Sequence, residues 1–494
     1  MNRPIPRALA VCLLPVLILL CGYSCATPLA PGYRILSQTY EVHFLAGPPP
    51  ELHIHLVYEL RNVGTTDLTF LDAKFPDQRE FGRKDLHAET DQHAVSPTEL
   101  PAESEVGRTN MLRLPFDSPW TRGQTKTLSI EYTFASPANS GSLITLGANE
   151  FHLASRSWFA VLEAPKHLLA PTPTPPPVAT YTIGVPADFF VLARGTPKGQ
   201  RRRANQVDHR FLLSKDDLPP FVVAGRYVAA PAHGPAHSAV FWTVEALRGD
   251  ASAAIEQITS DWNTLQSDFG PLDKDIVAPH VVESPELSRH LSGEPSAAAV
   301  AFPGGAIVNP AALALGSSND EFLDLVAHAL AHNWFGDQIR PTADASIGIG
   351  EGLPEYATIV IEEARNGEAG RRRRILEYLH RYNDARMRSN ETPLGIALLT
   401  DPLGPRRIAL AKAPLFYIAL EDVCGKIEVR RGLARVLGLL RGQTVDYNVL
   451  RSVLEQSTNR TLAQMFRIWL NDKGLPQDFL ERYPLGPANQ ETGD

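Results

Sequence analysis

Residues 326–337 read Val326-Ala327-His328-Ala329-Leu330-Ala331-His332-Asn333-Trp334-Phe335-Gly336-Asp337, and Glu351 follows nineteen positions after the second histidine. Two histidines at i and i+4 share one face of a helix, about 5–6 Å apart and close enough to hold one ion. In the pattern His-Glu-x-x-His they bind zinc, and the glutamate beside the first is the general base toward the water that the metal activates. Here that residue is Ala329, which cannot take a proton.

The flanking pattern predicts a helix over 319–334. Phe322, Leu325, Val326 and Leu330 recur at helical spacing, Ser317 and Ser318 are candidate N-caps, and Asp320, Glu321 and Asp324 fall where carboxylates favour a helix start. A second helical run opens at Glu351, tolerates Pro354 in its first turn and can end at Gly367. A carboxylate at a helix start can face a neighbouring helix. His328, His332 and Glu351 are therefore the candidate metal ligands, for one Zn2+ ion.

Farther out, 494 residues with 44% hydrophobic and 21% charged content predict a globular chain of two or three domains with sizeable cores. A net charge of −8 gives no electrostatic reason for nucleic acid as a partner. The basic runs 201–203 and 371–374 read as solvated faces. Between Tyr33 and Tyr227, short alternating runs such as residues 51–58 are separated by turn-formers, the signature of an antiparallel β-sandwich. The proline-rich stretch 168–177 reads as a surface loop. Beyond about residue 236 the period becomes helical, over 251–269, 351–365, 371–386, 410–423 and 430–440. The expected class is α+β: an N-terminal β-sandwich domain over 27–235, a mostly helical domain over 236–483, and a polar tail over 484–494. His53 and His55 alternate on one strand and read as a solvated face rather than a metal pair. His233 and His237 lie in a loop without ligand spacing.

The N-terminus predicts export. Arg3 and Arg7 precede an apolar run over 8–20, and Ser24-Cys25-Ala26 offers small residues for cleavage, so residues 1–26 read as a secretory signal peptide. The expected location is periplasmic, extracellular or on an outer surface. Pro15 and the shortness of the run argue against a transmembrane span. Cys21 or Cys25 is a candidate lipid-anchor site. Only Cys424 remains in the mature chain, so no internal disulfide is expected.

The words around the triad, together with Glu351-Gly352 and Tyr356, resemble the membrane alanyl aminopeptidase family of gluzincin zinc peptidases. Weaker likeness covers nearly all of the mature chain. Gly225-Arg226-Tyr227 is similar to the close of that family's N-terminal sheet domain, and 462–483 to the end of its thermolysin-like domain. The resemblance implies zinc-dependent removal of amino-terminal residues from peptides, and it marks three substitutions. Ala329 stands for the base. Gly305-Ala306-Ile307-Val308-Asn309 is similar to the segment that anchors the substrate's α-amine, with Val308 where the glutamate stands. Leu410, two before Lys412, occupies the place of the tyrosine that stabilises the oxyanion; Tyr417 lies two turns on, roughly 10 Å along a helix. Residues 345–350, with two glycines, stand where the family tends to have tryptophan, which implies looser packing around Glu351.

A general base contributes about 10²–10⁴ in rate and an oxyanion donor a similar factor. The expectation is an exported zinc-binding protein of this family, catalytically impaired, that binds a peptide or protein in the inherited cleft. Glu355 and Asp337 are candidates to orient a histidine from behind. The alternatives are a hydrolase using one of these two, or a substrate group, as base, and a metal-free scaffold.

Overall fold

The computed structural model of the chain describes residues 32–76, 82–100, 110–135, 144–153, 158–163, 176, 178–214, 220–230, 238–244, 252–272, 278–290, 299–309 and 320–485. The expected signal peptide with Cys21 and Cys25, the caps Ser317 and Ser318, His233 and His237, nearly all of 168–177 and tail residues 486–494 lie outside the described residues.

Period-two patterning folds as expected. In Glu51–Asn62, Leu52, Ile54, Leu56, Tyr58 and Leu60 are buried while the intervening residues are half-buried or exposed. This strand is central in an eight-stranded sheet ordered Thr196–Arg203, Gln206–Ser214, Val178–Pro186, Tyr33–Leu45, Glu51–Asn62, Thr125–Ala135, Arg83–Thr90, His93–Val95. The pairing is antiparallel except between Tyr33–Leu45 and Val178–Pro186, which run parallel. Two four-stranded sheets complete this half, and one apolar core runs through it from Tyr33 to Ala224. Two of its buried phenols are paired with backbone: Tyr58 Oη donates to the Ala160 carbonyl at 2.6 Å and Tyr132 Oη to that of Trp158 at 2.9 Å. His53 and His55 share the outer face but pair with separate carboxylates, Glu131 at 2.8 Å and Glu41 at 3.1 Å.

The second half is helical, as the period predicts, with one addition. A five-stranded sheet, ordered Val228–Ala229, Val240–Thr243, His280–Glu283, Gly305–Val308, Ala299–Phe302, has three parallel strands at its centre. Strands of two to four residues are too short to show a period, so no pattern in the sequence signals this sheet. Helices Ser252–Phe269, Asp320–Ala331, Gly352–Arg388, Leu403–Cys424 and Lys426–Leu439 pack around a second core that extends from Ala230 to Tyr483. Gly367 interrupts the long helix at φ 66°, a left-handed conformation that glycine adopts without a Cβ penalty. The halves meet through a small cluster including Phe221, Tyr227, Val282 and Phe302, and Phe190 stacks on Trp242.

One expectation is corrected here. Arg371 and Arg374 do not lie on a solvated face. Arg371 is 2% exposed and pairs at 2.8 Å with Glu421, itself 1% exposed, while Arg374 pairs with Asp324 and Glu377. The Arg371–Arg374 run sits in a helix pressed against Leu403–Cys424, so one face of a charged sequence is buried and satisfied by partners distant in the chain. The run 201–203 is exposed, as expected.

Candidate metal centre

The histidine helix spans Asp320–Ala331 and buries Phe322, Val326 and Leu330 on the face opposite the site, continuing into wide turns over Asn333–Gln338. Asn333 fixes its end. The buried side chain accepts from Gly304 N at 2.6 Å and donates to the Leu330 carbonyl at 2.9 Å, tying the strand hairpin at Gly304 to the helix. Glu351 is the residue before the Gly352–Arg388 helix. A Cβ at Gly352 would stand 2.7 Å from Ala413 Cβ, so only glycine admits the approach of the Leu403–Cys424 helix there.

Three ligand-type atoms converge. His328 Nε2 and His332 Nε2 are 3.1 Å apart, and each lies 3.6 Å from Glu351 Oε2. Zinc bound at about 2.0–2.1 Å in a tetrahedron has ligand–ligand edges of about 3.3–3.4 Å, and the circle through these three atoms has a radius of about 2.0 Å. The donor set therefore fits a metal without rearrangement and leaves a fourth direction open. It is the only such His/Cys/Asp/Glu group among the described residues.

Glu355 stands behind His328, its Oε1 3.6 Å from Nδ1, the ring nitrogen facing away from Glu351. Tyr378 Oη donates to its other oxygen, Oε2. Burial opposes the charged form of His328, but Glu355 and Glu351 outweigh it and raise the imidazole well above its ordinary value. Burial likewise works against the two carboxylates, yet the histidines hold both below the usual range, with Tyr378 also helping at Glu355. Such a site favours positive charge, supplied by a proton or by a metal.

Asp337 is not brought to the histidines. Its carboxylate is taken by Arg194 from the β-rich half, at 2.6 Å between Arg194 Nη2 and Asp337 Oδ2. The three positions that the resemblance marks as substituted are apolar in space as well as in sequence. Val308 is fully buried, Ala329 is 2% exposed, and both lie in the second core, against which half-buried Leu410 packs. Tyr417 Oη donates to the Gly348 carbonyl at 2.8 Å, so its hydroxyl is committed. Nor is the approach to Glu351 loose. The Tyr447 ring fills the space beside Gly348, where a Cβ would meet its hydroxyl at 2.0 Å, and Ile347 and Ile349 are fully buried. Tyr378, Asn333 and the Arg371–Glu421 pair escaped sequence reading, because nothing in a lone tyrosine, asparagine or basic run shows what it will face.

The comparisons agree with this architecture. Residues 297–469 match the peptidase family M1 domain. No curated protein sequence matches significantly. Among solved structures, the M1 zinc metallopeptidase from Deinococcus radiodurans superposes with a TM-score of 0.62 at 16% identity, covering 90% of this chain and 95% of that one. A mutant of it bound to a Tyr-Ser-Ala substrate gives 0.61 at 16%, covering 90% and 95%. Native leukotriene A4 hydrolase from Saccharomyces cerevisiae gives 0.63 at 14%, covering 92% of this chain and 71% of that one. The matched domain and the shared two-part fold are consistent with the gluzincin kinship that the words around His328 and His332 suggested.

Proposed function

We propose that this protein binds one zinc ion through His328, His332 and Glu351 and holds a peptide or protein segment at that site, with hydrolysis weak or lost. The observation that carries the reading is the pairing of a metal-sized triangle of donors with a buried alanine at the base position. His328, His332 and Glu351 would hold the ion, which when bound would supply Lewis acidity. The protein groups that would turn binding into hydrolysis are missing. Ala329 cannot accept a proton, Val308 cannot pair an ammonium, and Leu410 cannot donate to an oxyanion. A peptide as ligand rests on the family and on the substrate-bound neighbour. A domain division near residue 235, and export by a signal peptide over 1–26 with or without a lipid at Cys21 or Cys25, belong to the same proposal. No helix among the described residues is long and apolar enough to cross a membrane.

Glu355 is a poor replacement base, since it meets His328 on the ring edge opposite the donor triangle and is held by Tyr378. Asp337 is occupied by Arg194. The test is the metal content of purified protein, then hydrolysis of aminoacyl and internally quenched peptides by wild type, Ala329→Glu and His332→Ala. Stoichiometric zinc with no turnover is the expected result. Zinc-dependent turnover by wild type that His332→Ala abolishes would overturn the proposal.

A further inference from the structure

Past the histidine helix the chain enters a short extended strip whose backbone is paired with residues 442–445. Gly442 N donates to the Gln338 carbonyl, Arg340 N to that of Gln443, and Thr342 N to that of Val445. Arg340 and Thr342 alternate along the extended strip and share a face, and Gln338, the last residue of the wide turns, stands two positions before Arg340. Each carries a buried side-chain donor with no partner: Gln338 Nε2, Arg340 Nε and Thr342 Oγ1. Gln338 is 9% exposed, and Arg340 is half-buried, which leaves part of its side chain open to solvent. Buried donors are nearly always paired, and three orphans within five residues call for an acceptor.

The local charge has the same sign. Arg340 makes no ion pair within 4 Å among the described residues, whereas Arg194 beside it takes both oxygens of Asp337. Two guanidiniums thus share one carboxylate. Burial and the neighbouring Arg194 both act against the charge on Arg340, and Asp337 only partly offsets them. A chain of net charge −8 therefore keeps one uncompensated cation in a half-enclosed position. The strip also borders the metal centre: Asp337 N donates to the His332 carbonyl, and a Cβ at Gly350, the residue before Glu351, would stand 3.0 Å from Pro341.

We infer that Gln338, Arg340, Thr342 and Arg194 form an oxyanion-binding subsite at the edge of the metal centre, for a carboxylate or a phosphate group. The guanidinium fork of Arg340 takes two oxygens side by side, the Gln338 amide and the Thr342 hydroxyl each donate to one, and Asp337 competes for Arg194 as a built-in rival anion. Occupation needs no metal. Two sources share this chemistry, the carboxylate end of a peptide and a free inorganic oxyanion, and the test separates them.

The full chain is titrated calorimetrically, with and without chelator, with inorganic phosphate and with one tripeptide in free-acid and amidated forms. Saturable binding of phosphate or of the free-acid peptide is expected. Arg340→Gln should weaken it at least tenfold, Arg340→Lys should fall between, and Asp337→Asn, which frees Arg194, should strengthen it severalfold. Preference for the free acid over the amide identifies a peptide terminus, while phosphate binding alone identifies an inorganic oxyanion. If no probe binds saturably, or if Arg340→Gln binds as wild type does, the subsite is refuted. Should Arg340→Gln fail to fold, Asp337→Asn decides: a gain supports the inference and no gain overturns it.

Discussion

Glu355→Gln tests how the metal centre is held. The substitution keeps the shape and the Tyr378 hydrogen bond but removes the charge behind His328. Oε1 lies 3.6 Å from Nδ1, longer than a hydrogen bond, so the hold is Coulombic. A zinc ion on Nε2 would lie roughly 7–8 Å from that oxygen, where a 2+ and a 1− charge interact by about 4 kcal/mol at an effective dielectric of 20. Desolvation reduces the net value, and substitutions behind a ligand histidine typically weaken metal binding 10–100-fold, about 1.4–2.8 kcal/mol. We expect that loss for Glu355→Gln in competition with a chromophoric zinc chelator at neutral pH. Tyr378→Phe, which frees Glu355 to move, should give a smaller loss. Asp337→Asn should leave zinc affinity unchanged, because that carboxylate faces Arg194. If Glu355→Gln holds zinc within about twofold of wild type while His332→Ala loses it, the electrostatic account of Glu355 is wrong.

Two further outcomes follow from buried charge. Glu421 accepts from Tyr356 at 2.5 Å and Arg430 at 3.1 Å and pairs with Arg371 at 2.8 Å, so Glu421→Gln leaves buried Arg371 with only a 3.7 Å contact to exposed Glu368, while Arg430 keeps Asp268 and Glu363. A cost of about 3–5 kcal/mol is expected in urea unfolding, and a value below about 1 kcal/mol would show that the pair is not held as described. His152 is fully buried and pushed down to about 3 by burial, so it stays neutral in the folded state while the unfolded chain takes a proton below about pH 6.5. Its contribution is complete above pH 6.5 and is lost as pH falls toward 3, at up to about 1.4 kcal/mol per pH unit. Wild type should therefore lose more stability between pH 7 and pH 5 than His152→Leu; equal losses would contradict a neutral buried His152.

Period and spacing are local properties, and what depends on them was legible. Alternation along residues 51–62 specified a strand with one buried face, and the four-residue interval between His328 and His332 specified two imidazoles on one side of a helix. Ala329, Val308 and Leu410 are identities that no fold can alter. Everything that depended on a partner distant in the chain was not legible. The five-stranded sheet forms from strands too short to signal themselves, and Arg371 is buried because Glu421, fifty positions later, is brought against it. The two carboxylates that spacing made equivalent, Glu355 and Asp337, were separated only by folding. One helical turn beyond Glu351 sets Glu355 behind His328, while the wide turns over Asn333–Gln338 carry Asp337 to Arg194 in the other half of the molecule. The sequence by itself thus determined which groups can bind a metal and that position 329 carries no proton acceptor, because both follow from residue type and helical period. Tertiary structure decided which charge faces which, because Coulombic and hydrogen-bond partners are set by distances that only the packed chain defines.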